Sequence, residues 1–122
     1  MKHDINSSHD IFRLVTEFYL KAKSDAAIGE YFTQDRIDWD VHIPKMCTFW
    51  ENILFFSGNY SGNPMEQHQL LHQTYPFDPK DFDRWLKIFV ETVNQLFQGQ
   101  NADLIKQRAK GITKIMTAKL FE

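Results

Sequence analysis

Apolar residues recur every three or four positions along most of the chain, which is the spacing of a helix that buries one face. The first such run follows Ser7 and Ser8, two residues suited to cap a helix N-terminus. Its apolar face consists of Ile11, Leu14, Val15, Phe18, Tyr19 and Ala22. No segment alternates between apolar and polar residues with a period of two, as a half-buried strand would. The pattern predicts an all-α fold.

A second helix is predicted after an interruption that begins at Gly29 and leaves Tyr31 and Phe32 on a short turn. Pro44 indicates where this helix starts, because the missing N–H of proline costs nothing in the first turn. We expect the helix to end near Ser57. Its apolar face consists of Met46, Phe49, Trp50, Ile53 and Leu54.

A loop is predicted at 58–63, which is rich in Gly, Asn and Ser. After it, the apolar pattern predicts three more helices. A short helix is expected from Pro64 to about Leu71. The next runs from Asp78-Pro79 to about Gln98, with Phe82, Trp85, Leu86 and Phe89 on one face. Asn101 is predicted to cap the last helix. The apolar face of that helix consists of Ile105, Ala109, Ile112, Met116 and Leu120.

Composition narrows the class of protein. A chain of 122 residues with 43% apolar content predicts one globular domain spanning residues 1–122. Its net charge of −2 and scattered Lys and Arg give no case for nucleic-acid binding. We expect no membrane span and no signal peptide, since no apolar run is long enough for the first and the N-terminus lacks an apolar core. A single cysteine suits a cytoplasmic protein.

Five histidines are the candidates for metal chemistry. His3 and His9 lie near the start and are expected to be exposed, whereas His42, His68 and His72 lie among aromatic segments. His68 and His72 are four residues apart on one helix face and could chelate zinc or nickel, but no third ligand stands at a typical spacing. They could equally be a plain surface pair. As a third possibility, His68 could ligate haem iron between aromatic helices.

Six short segments recur in a distinctive order and spacing along the chain. They are Phe18-Tyr19, Tyr31-Phe32, His42 with Met46, Phe49-Trp50, Tyr60 to His68, and Phe82 to Phe89. With these segments the chain resembles the group III truncated haemoglobins, which are small bacterial globins. The glycine pairs typical of groups I and II are absent. The resemblance implies a globin-like, two-over-two helical sandwich that binds haem b.

Residue by residue, the resemblance assigns His68 as the proximal iron ligand, because it follows Pro64 by four positions as in the family's Gly-x-Pro-x-x-x-His block. Phe32 would pack against the haem face. Phe82 and Phe89 would line the pocket wall, and Lys45 would pair with a propionate at the haem edge. His72 has no counterpart in the family.

On the ligand side of the haem, the resemblance assigns Tyr19 as the distal tyrosine and His42 as the first ligand-facing position of the distal helix. Met46 would be the apolar position one turn later, and Trp85 would reach toward the ligand. Tyr19 and Trp85 are hydrogen-bond donors, and His42 could be a third donor or a gate.

The resemblance implies reversible binding of dioxygen and other diatomic ligands, such as nitric oxide and carbon monoxide, in a polar pocket. Donors that slow ligand release argue against simple oxygen transport and favour sensing, or redox chemistry on oxygen, nitric oxide or peroxide. Nitric oxide dioxygenase or peroxidase-like activity stays open, and would need a separate reductase because the chain has no dinucleotide-binding fingerprint. The alternative is a haem-free all-α interaction module. No oligomeric state is predicted.

Overall fold

The computed structural model describes residues 2–33, 37–56, 58, 63–74 and 77–121. It contains the helices α1 (Ser8–Lys23), α2 (Trp39–Phe55), α3 (Pro64–Thr74), α4 (Pro79–Leu96) and α5 (Gln100–Leu120). A short 3-10 helix, Gly29–Phe32, lies between α1 and α2 and carries the two aromatic residues expected on a turn. These ranges contain no β-strand, and the all-α prediction is confirmed.

The helices form two crossed layers. In the first, α1 and α2 run in opposite directions, since Ser8 hydrogen-bonds Glu51 and Tyr19 hydrogen-bonds His42. In the second, α4 packs along α5. The layers meet where α1 contacts α4 and α2 contacts α5, and the short α3 packs against α5. This is the globin-like, two-over-two arrangement that the sequence predicted.

Two predicted helix starts are confirmed by their caps. The Ser7 hydroxyl accepts a hydrogen bond from the backbone N–H of Asp10 at the start of α1. Asp78 caps α4 in a reciprocal capping box with Asp81, and Pro79 occupies the first turn. Each cap lies within four residues of the helix it starts, so the local sequence was sufficient to predict it.

The predicted start of the second helix at Pro44 is wrong. Helix α2 begins five residues earlier at Trp39, and the Asp38 side chain caps it by accepting the N–H of Asp40. Pro44 therefore lies inside the helix. Its fixed φ suits a helix, and the carbonyl of Asp40 that loses an N–H partner belongs to an exposed residue. His42 is consequently on the first turn of α2 rather than in the loop before it.

The predicted cap of the last helix is also wrong. Gly99, with φ 149°, precedes α5, and Asn101 lies within the first turn. The Asp4 carboxylate takes the capping role by accepting the backbone N–H groups of Asn101 and Ala102, at 2.9 and 2.8 Å. A Cβ at position 99 would lie 2.4 Å from Cγ of Asp4, so glycine is required there. The N-terminal segment is thus tied to the α4–α5 corner.

The remaining boundaries differ by a few residues. Helix α3 extends to Thr74 rather than Leu71, and α4 ends at Leu96 rather than Gln98. Helix α2 ends at Phe55, slightly before the end expected near Ser57. Ser57 itself and most of the predicted loop at 58–63 lie outside the described residues. No helix of the described ranges is long and apolar enough to cross a membrane.

Candidate haem site

A cavity of about 400 Å³ lies between the two helical layers and α3. All nine residues predicted for the site line it, and they come from α1, the 3-10 helix, α2, α3 and α4. They are Tyr19, Phe32, His42, Lys45, Met46, His68, Phe82, Trp85 and Phe89. The structure therefore brings the predicted site residues together, although they span seventy positions of sequence.

Two polar side chains of this cavity bond to each other. Nε2 of His42 lies 2.9 Å from the hydroxyl oxygen of Tyr19, and we call these two residues the distal pair. Burial, and to a smaller extent Cys47, raises the pKa of Tyr19 above its ordinary value. Burial, followed by the charges of Lys45 and His68, lowers the pKa of His42. Both members of the distal pair are therefore neutral near pH 7.

An aromatic wall borders the distal pair. The rings of Trp85 and Phe89 stack with centroids 5.2 Å apart and planes 7° from parallel, and Trp50 stacks on Phe89 at 4.9 Å. Phe18 meets both Trp85 and Phe89 edge to face. Such stacked and edge-to-face contacts fix ring positions, so this wall is a rigid apolar surface.

His68 lines the cavity, and the hydrogen bond that its ring makes fixes its tautomer. Its Nδ1 lies 2.7 Å from the carbonyl oxygen of Pro64, one turn earlier in α3, and the ring nitrogen must be the donor because a carbonyl only accepts. Burial lowers the pKa of His68 and outweighs this hydrogen bond, which raises it. The imidazole is therefore neutral near pH 7, with Nδ1 protonated. Nε2 keeps its lone pair, as a metal ligand requires.

Comparison with known proteins decides what this site belongs to. No protein-family model matches the chain. The group 3 truncated hemoglobin ctb of Campylobacter jejuni is 31% identical over 127 residues, covering 100% of this chain and 97% of that protein. The chain belongs to the group III truncated haemoglobins. The crystal structure of a group III truncated hemoglobin from Campylobacter jejuni has a TM-score of 0.88 at 29% identity, covering 100% and 97% of the two chains.

The site residues fit the haem that the name of this truncated haemoglobin family implies. The cavity is within the size range of cofactor sites and its lining is mainly aromatic and aliphatic. His68 would supply one neutral nitrogen ligand from α3, whereas the distal pair lies on α1 and α2. Lys45 also lines the cavity, so a cation is available for an anionic edge.

His72 is a structural histidine in this truncated haemoglobin. Its Nδ1 accepts the backbone N–H of Phe77 at 2.8 Å, and its ring stacks on that of Phe77. Within the described residues, no three His, Cys, Asp or Glu side chains are grouped as a metal site.

Sequence reasoning missed Trp39, which packs against the distal pair. Its ring meets Tyr19 edge to face at 5.1 Å and His42 at 5.7 Å, and the ammonium of Lys23 lies 4.1 Å from the ring centroid. Its indole N–H is buried and has no hydrogen-bond partner in the described part of the chain. Asp38 as a helix cap was the one available signal, since it would have placed residues 39 and 42 together on the first turn of one helix.

Two further groups of lining residues had no clear signal in the sequence. Tyr31 donates a hydrogen bond to the Asp81 carboxylate at 2.8 Å, across 50 positions of sequence, and both residues line the cavity. From α5, the side chains of Ile112, Thr113 and Met116 close one side. These contacts depend on how the layers cross, which periodicity alone does not specify.

Proposed function

We propose that this protein holds haem b in the cavity, with His68 as the axial ligand, and reversibly binds a diatomic ligand such as dioxygen, nitric oxide or carbon monoxide. The observation that carries the proposal is the state of His68: a neutral imidazole inside an apolar cavity, with Nδ1 donated to the Pro64 carbonyl. Membership of the truncated haemoglobins supports it. A haem-free helical module would leave this arrangement unexplained.

When bound, haem supplies the iron coordination position for the diatomic ligand. The chain's own residues then hold His68, exclude water and offer polar groups to the ligand. The Pro64 carbonyl fixes the ring orientation of His68 and makes its Nε2 a stronger base. The aromatic wall excludes water from the cavity, which strengthens the hydrogen bonds formed inside it.

The distal pair provides the polar groups for the ligand. The hydrogen bond between its two side chains can run in either direction, since each carries both a donor and an acceptor form. If the hydroxyl of Tyr19 donates to Nε2 of His42, its hydrogen cannot also point toward the ligand. If Nε2–H of His42 donates, the Tyr19 hydroxyl hydrogen is free to point toward the ligand. We propose that the second direction is the one adopted when a ligand is present, with Trp85 as a further donor.

A pocket with several donors suits slow ligand release, and we therefore propose sensing, or redox chemistry on oxygen, nitric oxide or peroxide, ahead of oxygen transport. Redox turnover would require electrons from a separate reductase. We also propose a cytoplasmic location, on the basis of the single free cysteine, Cys47.

The absorption spectrum of the purified protein tests the proposal. We expect an intense band near the blue edge of the visible spectrum, and its loss or displacement in His68→Gly, because the axial ligand is removed. His9→Gly is the matched control, since His9 is exposed on α1 far from the cavity lining. A protein that is colourless and does not take up added haemin would contradict the proposal and favour the interaction module.

A further inference from the structure

His72 is joined to the next element of the chain by two contacts with Phe77. The backbone N–H of Phe77 donates to Nδ1 of His72 at 2.8 Å, and the two rings stack with planes 12° apart. Phe77 immediately precedes Asp78, the cap of α4. His72, near the end of α3, therefore fixes both the backbone and the ring of Phe77, the residue just before the cap of α4.

Phe77 in turn packs against His68. Its ring centroid lies 6.2 Å from that of His68, and it also contacts Tyr31 at 5.1 Å and Phe82 at 5.5 Å. Phe77 itself lines the cavity. The carbonyl of Pro64 fixes one end of the His68 ring, at Nδ1, while Phe77 limits the sideways movement of that ring.

The His72 ring has a second aromatic neighbour. Phe121 meets it edge to face at 5.2 Å and contacts Phe82 at 6.2 Å. Contacts with both Phe77 and Phe121 limit the freedom of the His72 ring to leave its stacked position.

We propose that His72 is a positioning residue for His68 and acts through Phe77. The inference rests on the proposed role of His68 as haem ligand. His72 does not bind the iron; it holds Phe77 in place, and Phe77 confines the His68 ring.

The first measurement is hydrogen exchange at the Phe77 amide, which does not require haem. His72→Ala removes the acceptor and the stacked ring, and His72→Phe removes only the acceptor while keeping the ring volume. We expect exchange to be about three to ten times faster in both variants, the effect of one hydrogen bond of ordinary strength. An unchanged rate in both would overturn the proposal.

The second measurement is the iron–histidine stretching band in the resonance Raman spectrum of the ferrous, haem-loaded protein. We expect a broader band in His72→Ala, because the His68 ring gains freedom, and an unchanged band in His9→Ala. Phe77→Leu should broaden the band as well, and the double variant should be no broader than Phe77→Leu alone. Additive broadening, or a wild-type band in His72→Ala, would overturn the proposal.

The two measurements separate this inference from the proposed function. If the wild-type protein binds no haem, the band is absent from every variant and the proposed function fails. In that case the claim that His72 positions an iron ligand fails as well. The amide exchange still reports whether His72 holds Phe77.

Discussion

Nε2 of His42 lies 2.9 Å from the hydroxyl oxygen of Tyr19, so each member of the distal pair satisfies the other inside a mainly apolar cavity. A buried polar group without a partner is destabilising by about 1–3 kcal/mol. This mutual bond lets the fold keep two polar groups next to an aromatic wall. Three predictions follow from this pair and from the contacts around it, and a fourth follows from the cap of α5.

Replacing Tyr19 with Phe should speed dissociation of dioxygen from the ferrous, haem-loaded protein by about three to ten times, since one neutral hydrogen bond to the ligand is lost. Stopped-flow dissociation measures this rate. Tyr31→Phe is the matched control. It removes the same hydroxyl group elsewhere in the cavity, where that hydroxyl donates to Asp81. Equal acceleration in both variants would contradict the role of Tyr19.

The stability of the protein should fall as the pH drops below about 6.5. Burial, followed by the charges of Lys45 and His68, lowers the pKa of His42, so the folded state binds fewer protons than the unfolded state. The free energy of unfolding therefore decreases from the unfolded pKa down to the folded one. His42→Gln should flatten this dependence in urea unfolding at pH 7.5 and 5.5.

The size of this pH effect is limited. One proton contributes at most about 1.4 kcal/mol per pH unit, and His42 should contribute well below that because its side chain is only partly buried. Burial also lowers the pKa of His68, so some dependence should remain in the variant. An identical pH dependence in wild type and His42→Gln would contradict the prediction.

Trp39 should matter for stability through its ring rather than its N–H. Trp39→Leu removes two edge-to-face contacts and should lower the free energy of unfolding by about 1–3 kcal/mol. Trp39→Phe keeps an aromatic ring and removes only an N–H without a described partner. The free energy of unfolding should therefore fall clearly less in Trp39→Phe than in Trp39→Leu. Urea unfolding of the two variants checks this, and equal losses would show that the ring contacts are not what matters.

Asp4→Asn should lower the free energy of unfolding by about 0.5–1.5 kcal/mol, because Asp4 accepts with both carboxylate oxygens and an amide has only one acceptor oxygen, so one backbone N–H loses its partner. Burial opposes the charge of Asp4, but the N–H groups of Asn101, Ala102 and Ile5 outweigh it and lower the pKa of that carboxyl. Asp83→Asn, exposed on α4, is the control and should be neutral. Chemical denaturation measures both, and a neutral Asp4→Asn would mean that the cap is dispensable.

How much of the fold was predictable from sequence depends on the distance between partners. Ser7 and Asp78 lie next to the helices they cap, and both starts were predicted. Asp4 caps a helix 97 residues away, which no local pattern records, so Asn101 was chosen instead. Pro44 was placed by a rule for helix starts, although a proline also fits inside a helix where the carbonyl that loses its partner faces water.

The site residues likewise include some that were predicted and some that were missed. The predicted residues Tyr19, His42 and His68 came from the resemblance to truncated haemoglobins, and the structure brings them to one cavity. Trp39 was missed because its contacts cross from α2 to α1. The hydrogen bond of His72 was missed because it depends on where the chain re-enters the fold at Phe77.

Pro44 also affects how the cavity could open. It offers no N–H to the carbonyl of Asp40, so the first turn of α2 has one backbone hydrogen bond fewer than the turns that follow. That turn carries both His42 and Trp39. Local unfolding starts where the fewest bonds must break, and we therefore expect this turn to be the part of the cavity wall that opens most often. The rate of ligand entry would then be set by the backbone of α2 rather than by rotation of a single side chain.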